Sequence, residues 1–189
     1  NGTDYRALLS ADLLAATQKR LQIYVLRSKV KLADLSTSHE FIGLSGPQAE
    51  TALAKASLPN PAKPMDAQAF ANGTVIRLDE NRLIIIVAAA AAAELWQALA
   101  TTARPVGTSA WHWLDIRAGI PLITEATKEA FVPQMANFDK IGGVSFHKGC
   151  YPGQEVVART HYLGKVKRHL YRFHSAVAMQ AGDVLCSAA

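Results

Sequence analysis

Cysteine is scarce in this chain: Cys150 and Cys186 are the two among 189 residues. Two cysteines are too few for a disulfide-stabilised scaffold, and no spacing of histidines and cysteines resembles a zinc site. We therefore expect a reducing compartment, the cytoplasm, and no structural metal ion.

Long apolar runs are also missing. The longest covers residues 83–93, eleven residues, whereas a membrane-spanning helix needs about 20. No basic-then-apolar signal layout lies near residue 1, although a missing N-terminus would hide one. We expect no membrane partner. The chain opens at Asn1 without methionine and stops at Ala189, which suggests a fragment of a longer protein.

Acidic residues are fewer than basic ones, 15 against 20, and the formal net charge is +5. This excess permits an anionic partner but leaves nucleic acid, polyanionic cofactors and phosphates open. Half of the residues are hydrophobic and 19% are charged, which is typical of a chain that buries a core.

Hydrophobic periodicity predicts an α+β protein with helices on one face of an antiparallel sheet. Residues 74–78 and 82–87 read as a β-hairpin, and the alanine-rich segment after them as a helix. Further helices are predicted over 11–26 and 154–163, and a strand over 168–173. Residues 122–147 lack clear periodicity, which is typical of a functional loop.

One segment combines chemistry-bearing residues. Cys150 lies between Gly149 and Gly153, two residues after Lys148 and just ahead of a predicted helix. Helix N-termini and nearby cations stabilise thiolate over thiol, so the sequence predicts a reactive, accessible cysteine. The alternative is a small buried cysteine. A nucleophilic pair with His147 is conceivable, and Glu155 could pair with Arg159 one helical turn later.

Two other features allow a binding role. From residue 148 to 173, cations and aromatic residues interleave around the single acid Glu155, which suits either nucleic acid or a half-buried strand. The cationic side chains are Lys148, Arg159, Lys165, Lys167, Arg168 and Arg172, with His161 and His169. Trp111 and Trp113 belong either to the core or to the wall of a flat aromatic site.

The run Lys148-Gly149-Cys150-Tyr151-Pro152-Gly153-Gln154-Glu155, followed by Arg159, resembles the signature of the YgfZ family. These folate-binding proteins are related to the glycine-cleavage T-protein, an aminomethyltransferase. Segments 117–121, 131–134, 137–139 and 142–146 resemble the run leading to that signature, and 24–30 resembles an earlier family segment. The resemblance covers most of the chain.

The resemblance implies a T-protein-like folate-binding fold. Residues 1–105 would form the α+β, ferredoxin-like sandwich part, residues 106–165 the folate-channel segment, and residues 166–189 the start of a truncated C-terminal β-barrel. It also implies a folate cofactor, tetrahydrofolate or a derivative, and a role in assembling or repairing iron–sulfur clusters for enzymes that methylthiolate tRNA. The partners would be iron–sulfur client enzymes or assembly proteins, with tRNA contact also conceivable.

The resemblance assigns roles residue by residue. Cys150 would be the reactive thiolate or a transient cluster ligand, supported by Lys148, and Trp111 would stack on the pterin. The motif residues with structural roles would be Gly149, Tyr151, Gly153, Gln154, Glu155 and Arg159. A tryptophan nearer the family's N-terminus has no counterpart here.

The segment Leu114–Gly119 departs from T-proteins because Asp115 and Arg117 exchange the usual charges, which argues against simple aminomethyl transfer. An independent catalytic turnover is therefore not expected, although a tetrahydrofolate-dependent one-carbon transferase and a basic RNA-binding module remain as alternatives.

Overall fold

The computed structural model describes residues 4–164 and 166–186. The chain divides into two compact units, one formed by residues up to Lys19 with those from His112 onward, the other by Arg20–Trp111. A 3₁₀ turn, Ala11–Leu13, precedes the first helix. The helices are α1 Leu14–Gln22, α2 Ala49–Lys55, α3 Ala89–Ala100, α4 Thr108–Ala118 and α5 Gln154–Tyr162. The strands are β1 His39–Ser45, β2 Ala67–Phe70, β3 Gly73–Arg77 and β4 Arg82–Ala88.

The unit Arg20–Trp111 is built on one antiparallel sheet with strand order β1-β4-β3-β2. The predicted hairpin of β3 and β4 is confirmed, with Val75 opposite Ile85. β4 is the β-branched run of the sequence and lies between two partners. The mixed α+β class is thereby confirmed. Strand β2 was not predicted, because two of its four residues are alanine, which has low strand propensity.

The hydrophobic core lies on one face of this sheet. Alternate residues of β4 point to that face, and α2 and α3 cover it because their apolar residues follow helical spacing. Its buried members are Ile42, Leu44, Ala49, Ala52, Leu53, Val75, Leu83, Ile85, Val87 and Leu99. Five of the six alanines at 88–93 therefore begin a core-packing helix, as predicted, while Ala88 ends β4.

The opposite face of the sheet carries Trp111. A Cβ built on Gly43 of β1 would overlap the Trp111 ring, so the indole packs directly against the glycine backbone. The guanidinium of Arg82 lies 5.8 Å from the centroid of the same ring, a cation–π arrangement. Trp111 remains half-buried.

Buried charges fix the ends of the hairpin. Arg77 donates to the Pro61 carbonyl at 2.6 Å and to the Glu50 carboxylate at 2.8 Å. Asp79 accepts from Nε of Arg82 at 2.7 Å and from the backbone of Asn81 at 2.8 Å. Partial burial alone would raise the pKa of Asp79, but these hydrogen bonds outweigh it and hold the pKa below 3.8.

The other unit contains more irregular chain. Its N-terminal part is fixed where Asp12 accepts the backbone N–H of Glu125 at 2.9 Å. The hydrogen bond from Ser10, followed by that from Glu125, lowers the pKa of Asp12.

Several predicted elements differ in the structure. The helix predicted over 11–26 ends at Gln22, since the next turn is exposed and gains little from packing. Residues 168–173 do not form the predicted strand, because the backbone N–H of Leu170 bonds to Met135 in an irregular turn rather than to a strand ladder. Helix α4 was not predicted, because its aromatic and charged residues lack an apolar stripe.

Candidate functional site

The cysteine segment is held by a tight turn at the start of α5. The backbone N–H of Gln154 donates to the carbonyl of Tyr151 at 3.2 Å, with Pro152 and Gly153 between them. Gly153 has φ 84° and ψ −1°, the values of the third residue of a type II turn. Proline suits the second position and glycine the third, so the sequence itself specifies this turn.

Gln154 closes the turn a second time. Its side-chain Oε1 accepts the backbone N–H of Tyr151 at 3.1 Å. The back-bond resembles the reciprocal caps by which glutamine satisfies donors ahead of a helix. Turn and cap together fix the direction in which the chain enters α5.

Cys150 lies immediately before this turn and is an exposed free thiol. The Lys148 ammonium lies 4.2 Å from the centroid of the Tyr151 ring. Lysine, cysteine and tyrosine thus come together in one short segment, with the cation directed at the aromatic face. Within this chain Cys150 is therefore not buried, and its chemical role stays a prediction. Cys186 is exposed as well.

Helix α5 is held by a buried glutamine, Gln134, that the sequence patterns did not single out. Gln134 is 2% exposed and its Nε2 donates to the Val157 carbonyl at 2.7 Å, while its Oε1 has no hydrogen-bond partner. The family resemblance includes its segment, residues 131–134, but assigns no role to the amide. Within the described residues no ion pair joins Glu155 and Arg159, which are both exposed, so the suggested pair is absent.

An aromatic cluster closes the other end of α5. The rings of Phe146 and His161 stack with centroids 3.8 Å apart, and Tyr162 meets both rings edge-on. Phe146 also belonged to a family-like segment, but no pattern linked it to the histidine 15 positions later. This stacking gives His161 a packing contact within the basic tract, the segment 148–173 in which cations and aromatic residues interleave.

The two tryptophans lie in different units. Trp111 is the last residue of the unit Arg20–Trp111, whereas Trp113 belongs to the unit that contains Cys150. The Arg117 guanidinium lies 4.8 Å from the centroid of the Trp113 ring, and this indole is 54% exposed. Arg117, whose charge departs from the T-protein pattern, therefore has an aromatic partner.

The basic tract is exposed along much of its length. Arg159, Lys167, Arg168 and Arg172 are all exposed, whereas Lys165 lies outside the described residues. Among residues 4–164 and 166–186, no group of three or more histidine, cysteine or acidic side chains is arranged to hold a metal ion. No helix in this part of the chain is long and apolar enough to cross a membrane.

Sheet, helices and loop define an α+β protein with an exposed cysteine held ahead of a helix by a glycine-dependent turn. No family model matches the chain. It is 37% identical over 162 residues to the tRNA-modifying protein YgfZ of Yersinia pseudotuberculosis, which is 85% of this chain and 49% of the relative. The YgfZ protein of Yersinia pestis is 36% identical over 162 residues, which are 85% of this chain and 49% of that protein. The YgfZ protein of Yersinia enterocolitica is 37% identical over 153 residues, which are 80% of this chain and 46% of that protein.

The chain belongs to the YgfZ family, as the sequence motif predicted. It spans about half the length of the curated relatives that it matches.

Proposed function

We propose that this chain is part of a folate-binding accessory protein for iron–sulfur cluster assembly or repair, which supports tRNA methylthiolation indirectly. The observation that carries the proposal is the exposed Cys150 thiol beside a doubly braced turn. The relatives' name, tRNA-modifying protein, supports the connection to tRNA.

Cys150 would act as a redox-active thiolate or as a transient ligand to cluster iron. In the second role the thiol loses its proton to solvent and the sulfur donates an electron pair to iron; exposure permits both steps. Lys148, whose ammonium lies over the Tyr151 ring, would keep a positive charge in the segment that presents the thiol. Gly153 and Gln154 would keep the cysteine presented at the helix entrance, and Glu155 would complement the helix dipole.

Trp111 would form one wall of the folate site. The residues present fit this role, because Gly43 and Arg82 fix the indole while leaving it half-buried rather than enclosed. A flat pterin stacks well on such a fixed ring. When bound, tetrahydrofolate would supply a reduced pterin that can carry a one-carbon unit.

The finer architecture belongs to the same proposal. The sheet of the unit Arg20–Trp111 would correspond to the ferredoxin-like part of a T-protein-like fold. We keep residues 1–105, 106–165 and 166–189 as the sandwich, channel and barrel segments. Because the relatives are about twice as long, these assignments apply within the full-length protein.

The experiment is rescue of an iron–sulfur enzyme in cells that lack the full-length protein. Cys150→Ser should abolish the rescue without changing protein abundance, since serine keeps the shape and removes the thiolate. Cys186→Ser is the matched control, because it removes the other exposed cysteine and should rescue fully. Full rescue by Cys150→Ser would refute the role of the thiol.

A further inference from the structure

The segment after the cysteine loop carries charge of one sign. Residues 156–182 contain no aspartate or glutamate. Five lysines and arginines lie in this stretch, and the four that the structure describes are exposed. A surface of this kind attracts polyanions through release of their counterions.

Residues Lys167–Phe173, here called the basic strip, have no regular secondary structure and are held in place by hydrogen bonds. The Leu170 N–H donates to the Met135 carbonyl, and Nδ2 of Asn137 donates to the Leu170 carbonyl, both at 2.8 Å. Arg172 donates to the Arg117 carbonyl at 2.7 Å. Asn137 has φ 58°, a conformation that asparagine tolerates better than most residues. The strip is therefore held to its own unit.

Aromatic side chains along the strip face solvent. Tyr171 and Phe173 are 68% and 65% exposed and alternate with Arg172. Alternating exposed rings and cations are typical of surfaces on which unpaired bases stack while their phosphates meet the charges. A duplex would leave these rings unused, because its bases are already stacked.

A cleft of about 490 Å³ opens beside the strip. Its apolar lining includes Ile116, Ile120, Leu122 and Phe131, and the strip contributes Arg168, His169, Tyr171 and Arg172. No acidic residue lines it, and its volume lies within the range of about 300–1,000 Å³ that is usual for small-molecule sites. Lys167 and Phe173 lie outside the cleft lining, so a ligand confined to the cleft would not use the whole strip.

We propose that the basic strip and its cleft bind an unpaired segment of RNA, with an unstacked base in the cleft and adjacent bases on Tyr171 and Phe173. This goes beyond the proposed function, in which the role in tRNA modification is indirect. It requires that the barrel proposed for residues 166–189 leaves Tyr171 and Phe173, two positions apart, on its solvent-facing side. It also uses side chains distinct from Cys150.

The test is fluorescence anisotropy of the full-length protein with a labelled single-stranded 12-nucleotide RNA, and with the same RNA as a duplex. Tyr171→Ala should weaken single-strand binding by at least fivefold, the lower end of a lost base–aromatic stack. Arg168→Gln should reduce the slope of log affinity against log salt by about 0.7. Tyr5→Ala, at a ring 96% exposed, and Lys140→Gln are matched controls and should bind like the parent.

Several results would overturn the proposal: no single-strand binding, equal affinity for the duplex, or variants that match their controls. Binding to phosphatidylserine vesicles without RNA binding would assign the strip to a membrane surface instead. Displacement of the RNA by tetrahydrofolate, with loss of folate binding in Tyr171→Ala, would assign the cleft to the cofactor. Cys150→Ser should bind RNA normally, so failure here is separate from failure of the thiol role.

Discussion

Gly153 and Gly149 flank the same cysteine, yet the structure predicts opposite tolerance to substitution. A Cβ added at either position meets no atom within 4 Å, so steric overlap is excluded for both. Gly153 has φ 84°, whereas Gly149 is not among the residues with positive φ. The pair therefore isolates the backbone requirement of the turn.

The expected magnitudes follow from this difference. Gly153→Ala places a side chain in the left-handed region and should cost about 1–2 kcal/mol. Gly149→Ala should be neutral or stabilise by up to about 1 kcal/mol, because alanine reduces the entropy of the unfolded chain. With a urea m-value of about 2 kcal/mol per molar, Gly153→Ala should lower the midpoint by about 0.5–1 M.

Urea unfolding measures these values, and amide hydrogen exchange in α5 localises them. Exchange of the first turn of α5 should accelerate in Gly153→Ala alone. Gly153→Asn should recover part of the loss, since asparagine tolerates positive φ. Equal midpoints for the two alanine variants would refute the assignment of a glycine-dependent turn.

Three further predictions concern the packing. Asp79→Asn should lower the free energy of unfolding by about 1 kcal/mol at pH 7. Because the folded pKa of Asp79 is lowered, the stabilisation by its carboxylate is complete above about pH 4 and is lost as the pH falls through the folded pKa. The unfolding free energy of the variant should therefore vary less with pH below 4 than that of the parent. Gln134→Ala should lower the free energy of unfolding in urea by roughly 2–3 kcal/mol. Gln134→Met should stay within about 1 kcal/mol of the parent, because methionine keeps the side-chain volume and removes the unpartnered oxygen. Equal losses for the two variants would contradict this. Gly43→Ala should cost about 1–3 kcal/mol by displacing Trp111, and Gly107→Ala, in open space, should leave the melting temperature unchanged.

The sequence predicts the parts of the fold that local patterns encode. The β3–β4 hairpin and helices α3 and α5 follow from strand-forming runs, alanine content and turn residues. Helix α4 is not predicted from the sequence, because Trp111, Trp113 and Arg117 do not form an apolar stripe and the periodicity gives no helical signal. Residues 168–173 alternate like a strand, yet their partner is the turn at Asn137, which no strand pattern reveals.

Only the part of the candidate site that is continuous in sequence can be predicted from that sequence. Gly153 at a left-handed position and the entry into α5 follow from Pro-Gly turn chemistry. The support by Gln134 depends on a contact 23 residues away along the chain, and the contact of Trp111 with Gly43 on one 68 residues away. Single-sequence patterns do not carry such pairings, because tertiary packing determines them.

The central proposal is that the protein requires the Cys150 thiol to support tRNA methylthiolation. Its most direct test is the methylthiolated fraction of tRNA, measured by mass spectrometry in cells whose sole copy of the full-length protein carries Cys150→Ser or Cys186→Ser. We predict that Cys150→Ser lowers this fraction to that of cells lacking the protein, while Cys186→Ser matches the parent. A parental level of methylthiolation in Cys150→Ser cells, at equal protein abundance, would contradict the account.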